Sequence, residues 1–350
     1  MKYKVIFTTF ILFIAFIAGN SFIVDNPYFA ISNRDVELKI PRGFPKPYYN
    51  FEKNKLNAEV FVLGRKLFYD NILSKDNTVN CGSCHQRIAA FAHIDHRLSH
   101  GIYAKIGTRN VPPLQNLIWK DTYMWDGGVN NLEVQPINPI TSPIEMDETL
   151  ANVLIKLRRD SVYVHLFNKA YKDSLINSER LLKALAQFTG LMISANSRYD
   201  QYKKGKDTFS HDEKRGLSLF MQKCSACHTE PLFTDNSYRN NGIQADTTLH
   251  DRGREGITGI AGDRNRFKVP GLRNIAMTYP YMHDGRFRNL REVLNHYSDF
   301  RSSDASVDPA IQRIGPLSEN EKNALIAFLN TLTDKTFLYD RRFADPSGNY

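Results

Sequence analysis

The chain has 350 residues, 42% of them hydrophobic, and a formal net charge of +9. This length corresponds to about two domains, and the apolar share, which includes 22 Phe and 17 Tyr, is enough for a sizeable buried core. Lys and Arg are dispersed along the chain rather than clustered in a stripe, which argues against a nucleic-acid-binding protein.

Residues 1–24 have the pattern of a secretory signal peptide. Lys2 and Lys4 form a positive start, residues 5–18 are apolar, and small residues follow directly. We expect this segment to be cleaved. An uncleaved N-terminal membrane anchor is the alternative, because the apolar stretch continues to residue 24 with only short interruptions.

The rest of the chain has mainly helical periodicity. Apolar residues recur at helical spacing over 57–68 and 178–199, and His211 opens a further helix. Ser318 and Glu321 have the spacing of a capping box before a last helix at 324–332. We therefore predict a mainly α fold, with Gly-, Pro- and Asn-rich loops between the helices.

Two C-x-x-C-H runs, at 81–85 and 224–228, are the attachment signature of c-type haem. Two thiols three positions apart can both form thioethers to one porphyrin, and the adjacent His then reaches the iron. The runs contain all four cysteines of the chain. We expect two covalent haems, attached at Cys81, Cys84, Cys224 and Cys227, with His85 and His228 as proximal iron ligands.

Other uses of these cysteines fit the sequence less well. Cys84 and Cys224 are 140 positions apart, far beyond the usual spacing of a Cys₄ zinc site. A redox dithiol or a disulfide would not need a His after each second Cys. Bacteria attach c-type haem outside the cytoplasm, which agrees with export of this chain to the periplasm. The absence of further cysteines also suits an oxidising compartment.

The chain also contains an internal duplication. Val111-Pro112-x-Leu114-x-Asn116 recurs 158 residues later, and so does Tyr123-Met124-x-Asp126-Gly127. A G-x-x-L-F run precedes each haem motif, at 64–68 and 216–220. The repeat is too long for a solenoid and indicates two related domains. We expect these at 45–203 and 204–334, with a C-terminal tail at 335–350 that packs back on the first.

The segments around the first motif carry a specific resemblance. Thr108-Arg109-Asn110, Met124-Trp125-Asp126-Gly127-Gly128, Leu132-Glu133-x-Gln135 and Glu145-Met146 resemble the bacterial diheme cytochrome c peroxidase family. That family includes the diheme enzyme that matures methylamine dehydrogenase. The resemblance covers nearly all of the chain after the signal. It implies two cytochrome c-like helical domains with haems near their interface, the first reacting with peroxide and the second accepting electrons.

The resemblance also implies catalytic roles for three residues. Glu145 would be the general acid/base, its pKa raised by partial burial, and Gln135 would orient peroxide by hydrogen bonding. Trp125 would lie between the haems. From the residues alone, Glu145 could be an exposed loop carboxylate and Trp125 a core aromatic.

The resemblance further implies a calcium site. Asn110 would supply an amide oxygen, and Thr278 and Pro280 would supply backbone carbonyls, with waters completing the shell. Such oxygen ligands suit Ca²⁺. The site would bridge the two halves.

The distal haem ligands depart from the best-known peroxidases. Where those have a Met on the second haem, this chain has Tyr297, as the maturation enzyme does. His296 is a rival ligand, and Tyr297 could also merely pack. On the first haem, His100 resembles a His that caps the resting iron, whereas His93 and His96 are expected to be ordinary surface histidines.

The sequence thus predicts a periplasmic diheme cytochrome c peroxidase that reduces hydrogen peroxide to water. Its electrons would come from a small soluble cytochrome c or cupredoxin that docks near the second haem. One alternative is an oxidase like the maturation enzyme, acting on a protein or peptide. Another is a non-catalytic diheme electron-transfer cytochrome. The sequence leaves the oligomeric state open, and a homodimer is one candidate.

Overall fold

The computed structural model describes residues 31–302 and 304–348, so the expected signal peptide lies outside the described residues. The described chain is mainly helical, as predicted. Its α-helices are α1 (Ala58–Phe68), α2 (Cys81–Cys84), α3 (Ile137–Thr141), α4 (Leu150–Arg159), α5 (Ser161–Tyr171), α6 (Ser178–Gly190), α7 (Arg198–Lys203), α8 (His211–Lys223), α9 (Glu255–Thr258), α10 (Leu290–Asp299), α11 (Pro309–Gln312), α12 (Glu319–Asn330) and α13 (Lys335–Leu338). Short 3₁₀ turns occupy Asn71–Leu73, Arg87–Ala89, Ile102–Ala104, Leu117–Trp119, Ala261–Asp263, Ile275–Met277 and Arg341–Phe343. Strands β1 (Tyr238–Arg239) and β2 (Phe267–Lys268) pair antiparallel, with Tyr238 opposite Lys268.

Side-chain caps define the helix starts. Asn57 accepts hydrogen bonds from the backbone of Glu59 and Val60 at the start of α1, which satisfies N–H groups that have no partner within the helix. The predicted capping box of Ser318 and Glu321 is confirmed at α12.

The predicted helix over 178–199 is wrong in its second half. The helix ends at Gly190, and a separate helix, α7, begins at Arg198. Tertiary contacts explain the break. Gly190 is so tightly enclosed that a Cβ there would lie 2.8 Å from the Phe51 ring, and the N–H of Ser194 donates to the Asn116 side chain rather than to a helical carbonyl.

The buried apolar side chains form two clusters, the first from residues 36–192 together with 337–343 and the second from residues 199–332. In the first, α1 crosses α6, and a Cβ at Gly64 would lie 2.0 Å from the carbonyl oxygen of Ala184. In the second, α8 crosses α12, and a Cβ at Gly216 would lie 1.9 Å from the carbonyl oxygen of Ala324. The glycine that opens each G-x-x-L-F run therefore permits the same close helix crossing in both halves.

The end of the chain lies against the first cluster. Phe337, Leu338 and Phe343 are buried within it. The Arg87 guanidinium donates to the carbonyl of Leu338 at 3.1 Å.

Charged and backbone contacts join the two halves. Arg109 binds both Asp126 of the first half and Asp251 of the second. The N–H of Asn110 donates to the carbonyl of His283 at 2.7 Å. Within 31–302 and 304–348, no helix is long and apolar enough to cross a bilayer.

Candidate functional site

A cavity of about 340 Å³ is lined mainly by first-half residues, among them Cys81, Cys84 and His85, and on one side by second-half residues such as Lys268 and Arg273. Asn80 and Ser83 form a capping box that holds both cysteines in the single turn of α2. Burial raises the pKa of the Cys81 thiol to about 12 and that of Cys84 to about 11.

The His85 ring is held in the orientation that a metal ligand needs. Its Nδ1 lies 2.7 Å from the carbonyl oxygen of Phe91, and Nε2 has no hydrogen-bond partner among the residues that the structure describes. Burial lowers the pKa of His85 to about 4, so the ring is neutral. Two thiols and a neutral, oriented imidazole in one cavity fit a covalently attached haem.

The second C-x-x-C-H run follows α8 and has a similar arrangement. His228 Nδ1 lies 3.1 Å from the carbonyl oxygen of Phe233 and 3.2 Å from that of Pro270. Burial lowers the pKa of His228 and raises that of Cys224 to about 12. These residues also fit a covalent haem.

Glu145, Gln135 and Trp125 line the same cavity as the first pair of thiols. Burial raises the pKa of Glu145, as expected for an acid/base group, and its charge also adds to the raised pKa of both thiols. Gln135 donates from Nε2 to the sulfur of Met124 at 3.7 Å. The structure thus brings these three sequence-predicted residues together.

Trp125 lies at the junction of the halves. Its indole N–H donates to the carbonyl of Asn110 at 2.8 Å, and its own carbonyl accepts from the N–H of Lys268 at 2.7 Å. Asn110 in turn donates to His283. Trp125 is therefore bonded to both halves of the chain.

Gly101 is a site residue whose role the sequence did not indicate. A Cβ there would lie 2.2 Å from the carbonyl oxygen of Ile144 and 2.5 Å from the Cα of Glu145. The next residue, Ile102, donates its N–H to the carbonyl of Glu145 at 2.8 Å. Only a residue without a side chain allows this approach, which sets the position of the Glu145 backbone. In the sequence, the only feature that could have drawn attention to this position is that a glycine follows His100 directly.

Replacing Gly101 with Ala should destabilise the fold by about 1–3 kcal/mol, the usual cost of inserting a methyl group into a packed site, and should displace Glu145. Thermal unfolding measures the first effect. Gly256→Ala is the control, because a Cβ there meets nothing within 4 Å. Equal stability of the two variants would contradict the close packing at Gly101.

Three histidines form a cluster beside this site. The rings of His93 and His96 stack with centroids 4.3 Å apart, and His96 meets His100 at 4.6 Å. His96 is exposed, as expected, but the expectation of a surface position for His93 is wrong. His93 is 6% exposed, and burial, with neighbouring His96 and His100, lowers its pKa to about 4. His93 lies in an irregular loop without hydrophobic periodicity, so the sequence pattern could not predict its burial.

His100 lines the cavity, and its backbone carbonyl lies 3.4 Å from the Cys84 sulfur. The buried Nδ1 of His100 has no hydrogen-bond partner within the described ranges 31–302 and 304–348. The part of the chain that the structure describes contains no group of three or more His, Cys, Asp or Glu arranged to hold a metal ion.

Tyr297 and His296 both contact Asn241 but differ in their other neighbours. Burial raises the pKa of Tyr297 to about 12; a hydrogen bond with the Asn241 side chain opposes this shift, and the charges of Cys224 and Cys227 add to it, so the phenol lies near the second pair of thiols. The Nε2 of His296 lies 3.1 Å from the carbonyl oxygen of Asn241. His296 lines a separate pocket with residues such as Arg286 and Phe300.

Of the residues expected to bind calcium, Asn110 lies at the same junction, where its N–H donates to His283. The Asn110 side-chain nitrogen donates to the carbonyl of Arg97 at 3.1 Å, which orients its oxygen in another direction. Thr278 is buried, and Pro280 lies three residues before His283, the partner of the Asn110 N–H. An amide oxygen and nearby backbone carbonyls are suitable ligands for Ca²⁺.

Residues 58–208 match the family model described as di-haem cytochrome c peroxidase. Over 302 residues the chain is 33% identical to the methylamine utilization protein MauG of Methylorubrum extorquens, covering 83% of this chain and 82% of that protein. It is 30% identical to the cytochrome c551 peroxidase of Nitrosomonas europaea, covering 84% and 85%. A solved structure of a MauG-like protein associated with microbial copper homeostasis aligns with a TM-score of 0.81 at 31% identity, covering 89% and 99%.

Proposed function

The chain belongs to the di-haem cytochrome c peroxidase family, and from that premise we propose that it reduces hydrogen peroxide to water. One observation carries the proposal. A half-buried carboxyl, Glu145, and an amide, Gln135, line the cavity that contains Cys81, Cys84 and His85. A proton-transfer group and a hydrogen-bonding group beside the metal are what peroxide reduction requires.

The protein residues move protons in this proposal. Glu145 accepts a proton from the near oxygen of peroxide and returns it to the departing oxygen. Gln135 holds the peroxide by hydrogen bonding. When bound, the haem at Cys81 and Cys84 would supply the iron and pass on the electrons that reduce the O–O bond. Two electrons and two further protons convert each peroxide to two waters.

Electrons would enter through the second half, from a small cytochrome c or cupredoxin in the periplasm. The haem site there is formed by Cys224, Cys227 and His228. Trp125, bonded to Asn110 on one side and to Lys268 on the other, lies on the route between the halves. We assign the two halves to domains at 45–203 and 204–334. Ca²⁺ held by Asn110, Thr278 and Pro280 would keep their relative geometry.

A second function fits one specific observation. Tyr297 lies near Cys224 and Cys227, as expected for a tyrosine on the second haem iron. A phenolate there stabilises ferric iron. This favours an oxidase like the methylamine utilization proteins, which would act on a protein or peptide by long-range electron transfer. Steady-state peroxide turnover with several reduced donor proteins distinguishes the two, since the oxidase predicts negligible turnover with each.

The purified protein should carry two covalent haems. Its mass should exceed that of the polypeptide by two haem groups, and the pigment should remain on a denaturing gel stained for haem. Replacing Cys81 and Cys84 with Ser should remove one haem, and replacing Cys224 and Cys227 should remove the other. Extraction of the pigment by acid acetone would contradict covalent attachment.

A further inference from the structure

Positive charge is in excess in the wall of the first cavity. Four cationic side chains line it, but Glu145 is its one acidic residue among the described part of the chain. The cations are Arg109, Lys120, Lys268 and Arg273. Burial raises the pKa of Glu145, and no ion pair joins its carboxyl to a lysine or arginine within residues 31–302 and 304–348. Glu145 therefore does not neutralise these cations.

The two arginines are fully paired elsewhere. Arg273 makes two hydrogen bonds to Asp200, at 2.8 and 2.9 Å. Arg109 binds Asp251 at 2.6 and 2.8 Å and also binds Asp126. The charges of both guanidinium groups are therefore already compensated by carboxylates of the protein.

The two lysines are different. Lys268 is 6% exposed, and within the described residues its ammonium pairs with one carboxylate, that of Asp121 at 3.4 Å, whose own side chain is half exposed. The ammonium also lies 3.4 Å from the carbonyl oxygen of Asn236. It also donates to the Thr122 hydroxyl and lies 4.6 Å from the centroid of the Tyr238 ring. The ammonium of Lys120 makes no hydrogen bond or ion pair within residues 31–302 and 304–348. Burial, with the nearby charge of Lys268, lowers the pKa of Lys120 to about 8.

Two neighbouring ammonium groups with so little compensating charge are costly in a cavity wall, because a desolvated cation needs an anionic partner. A haem joined through its vinyl groups to Cys81 and Cys84 would add two carboxylates, its propionates, to this cavity. We propose that Lys120 and Lys268 bind the propionates of this haem. The inference rests on the proposed function, in that a haem is attached at Cys81 and Cys84.

Reduction potentials test this directly. Removing a positive charge beside a haem disfavours reduction, because the ferrous form carries one positive charge fewer. In Lys120→Met, one of the two haems should show about a tenfold lower ferrous-to-ferric ratio at a fixed applied potential, which corresponds to about 59 mV for one electron. Lys268→Met should move the same haem in the same direction. Spectroelectrochemical titration of the intact protein resolves the two haems.

Two variants separate charge from packing. Lys120→Arg keeps the charge and should restore the potential to within about twofold of the parent ratio. Lys183→Met removes a half-buried lysine of α6 that pairs with Glu179 outside the cavity, and it should move neither haem. Unchanged potentials in both Lys→Met variants would overturn the inference. A shift in Lys120→Arg as large as that in Lys120→Met would overturn it as well. Failure of the haem stain at Cys81 and Cys84 would instead reject the proposed function itself.

Discussion

Replacing Glu145 with Gln should lower peroxide turnover about 100-fold or more while leaving the spectra of both haems nearly unchanged, because general acid/base groups contribute on that scale. Gln fills the same space but cannot accept the proton from peroxide. Steady-state turnover with a reduced donor measures the loss. Gln135→Ala should lose less, since it removes a hydrogen bond rather than the proton carrier.

The pH profile offers a second readout. A base must be deprotonated before it can accept a proton, so turnover falls as pH drops through its pKa. Because burial raises the pKa of Glu145, this fall should occur at higher pH than for an ordinary carboxyl, and it should be absent in Glu145→Gln.

Glu148 provides a matched control for Glu145. It lies three residues away and is also buried, but it pairs with Lys156 at 2.8 Å and does not line the cavity. Glu148→Gln should keep turnover within about threefold of the parent, because it touches no reacting group. If Glu145→Gln also stays within that range, the carboxyl is not the proton relay.

Replacing Tyr297 with Phe should leave the second haem iron five-coordinate or bound to water. The electron paramagnetic resonance signal of that haem should change, and its reduction potential should rise because an anionic donor to ferric iron is lost. We expect a rise of at least about 59 mV, a tenfold change for one electron. The expectation depends on the burial of the phenol near Cys224 and Cys227.

His296→Ala is the control for the tyrosine. The His296 ring is directed at the carbonyl of Asn241, so its loss should leave the haem spectrum as it is. The reverse pattern would make His296 the ligand and weaken the kinship with the maturation enzyme. If neither change matters, the second haem is open or bound from elsewhere, and the assignment of the first haem as the sole peroxide site fails.

The sequence alone was enough for the features that depend on neighbouring residues. Two thiols and a His within five positions predict haem attachment, because one porphyrin must reach all three groups. The repeat spacing of 158 residues indicated two related halves. The helix crossings at Gly64 and Gly216 are alike because each of the two G-x-x-L-F runs places a glycine at the contact. Glu145, by contrast, was assigned through a family resemblance, since a loop carboxylate alone carries no such signal.

The tertiary structure decided what depends on distant segments. The helix predicted over 178–199 stops at Gly190 because Phe51 and Asn116, far away in sequence, occupy its surroundings. Gly101 positions Glu145, which lies 44 residues further on, through a backbone contact that hydrophobic periodicity cannot reveal. Lys120 and Lys268, 148 residues apart in sequence, are close enough for one charge to lower the pKa of the other, and the small number of carboxylates around them is visible only in the folded structure. Burial and charge pairing are properties of neighbours in space, and the spacing of residues along this chain does not specify them.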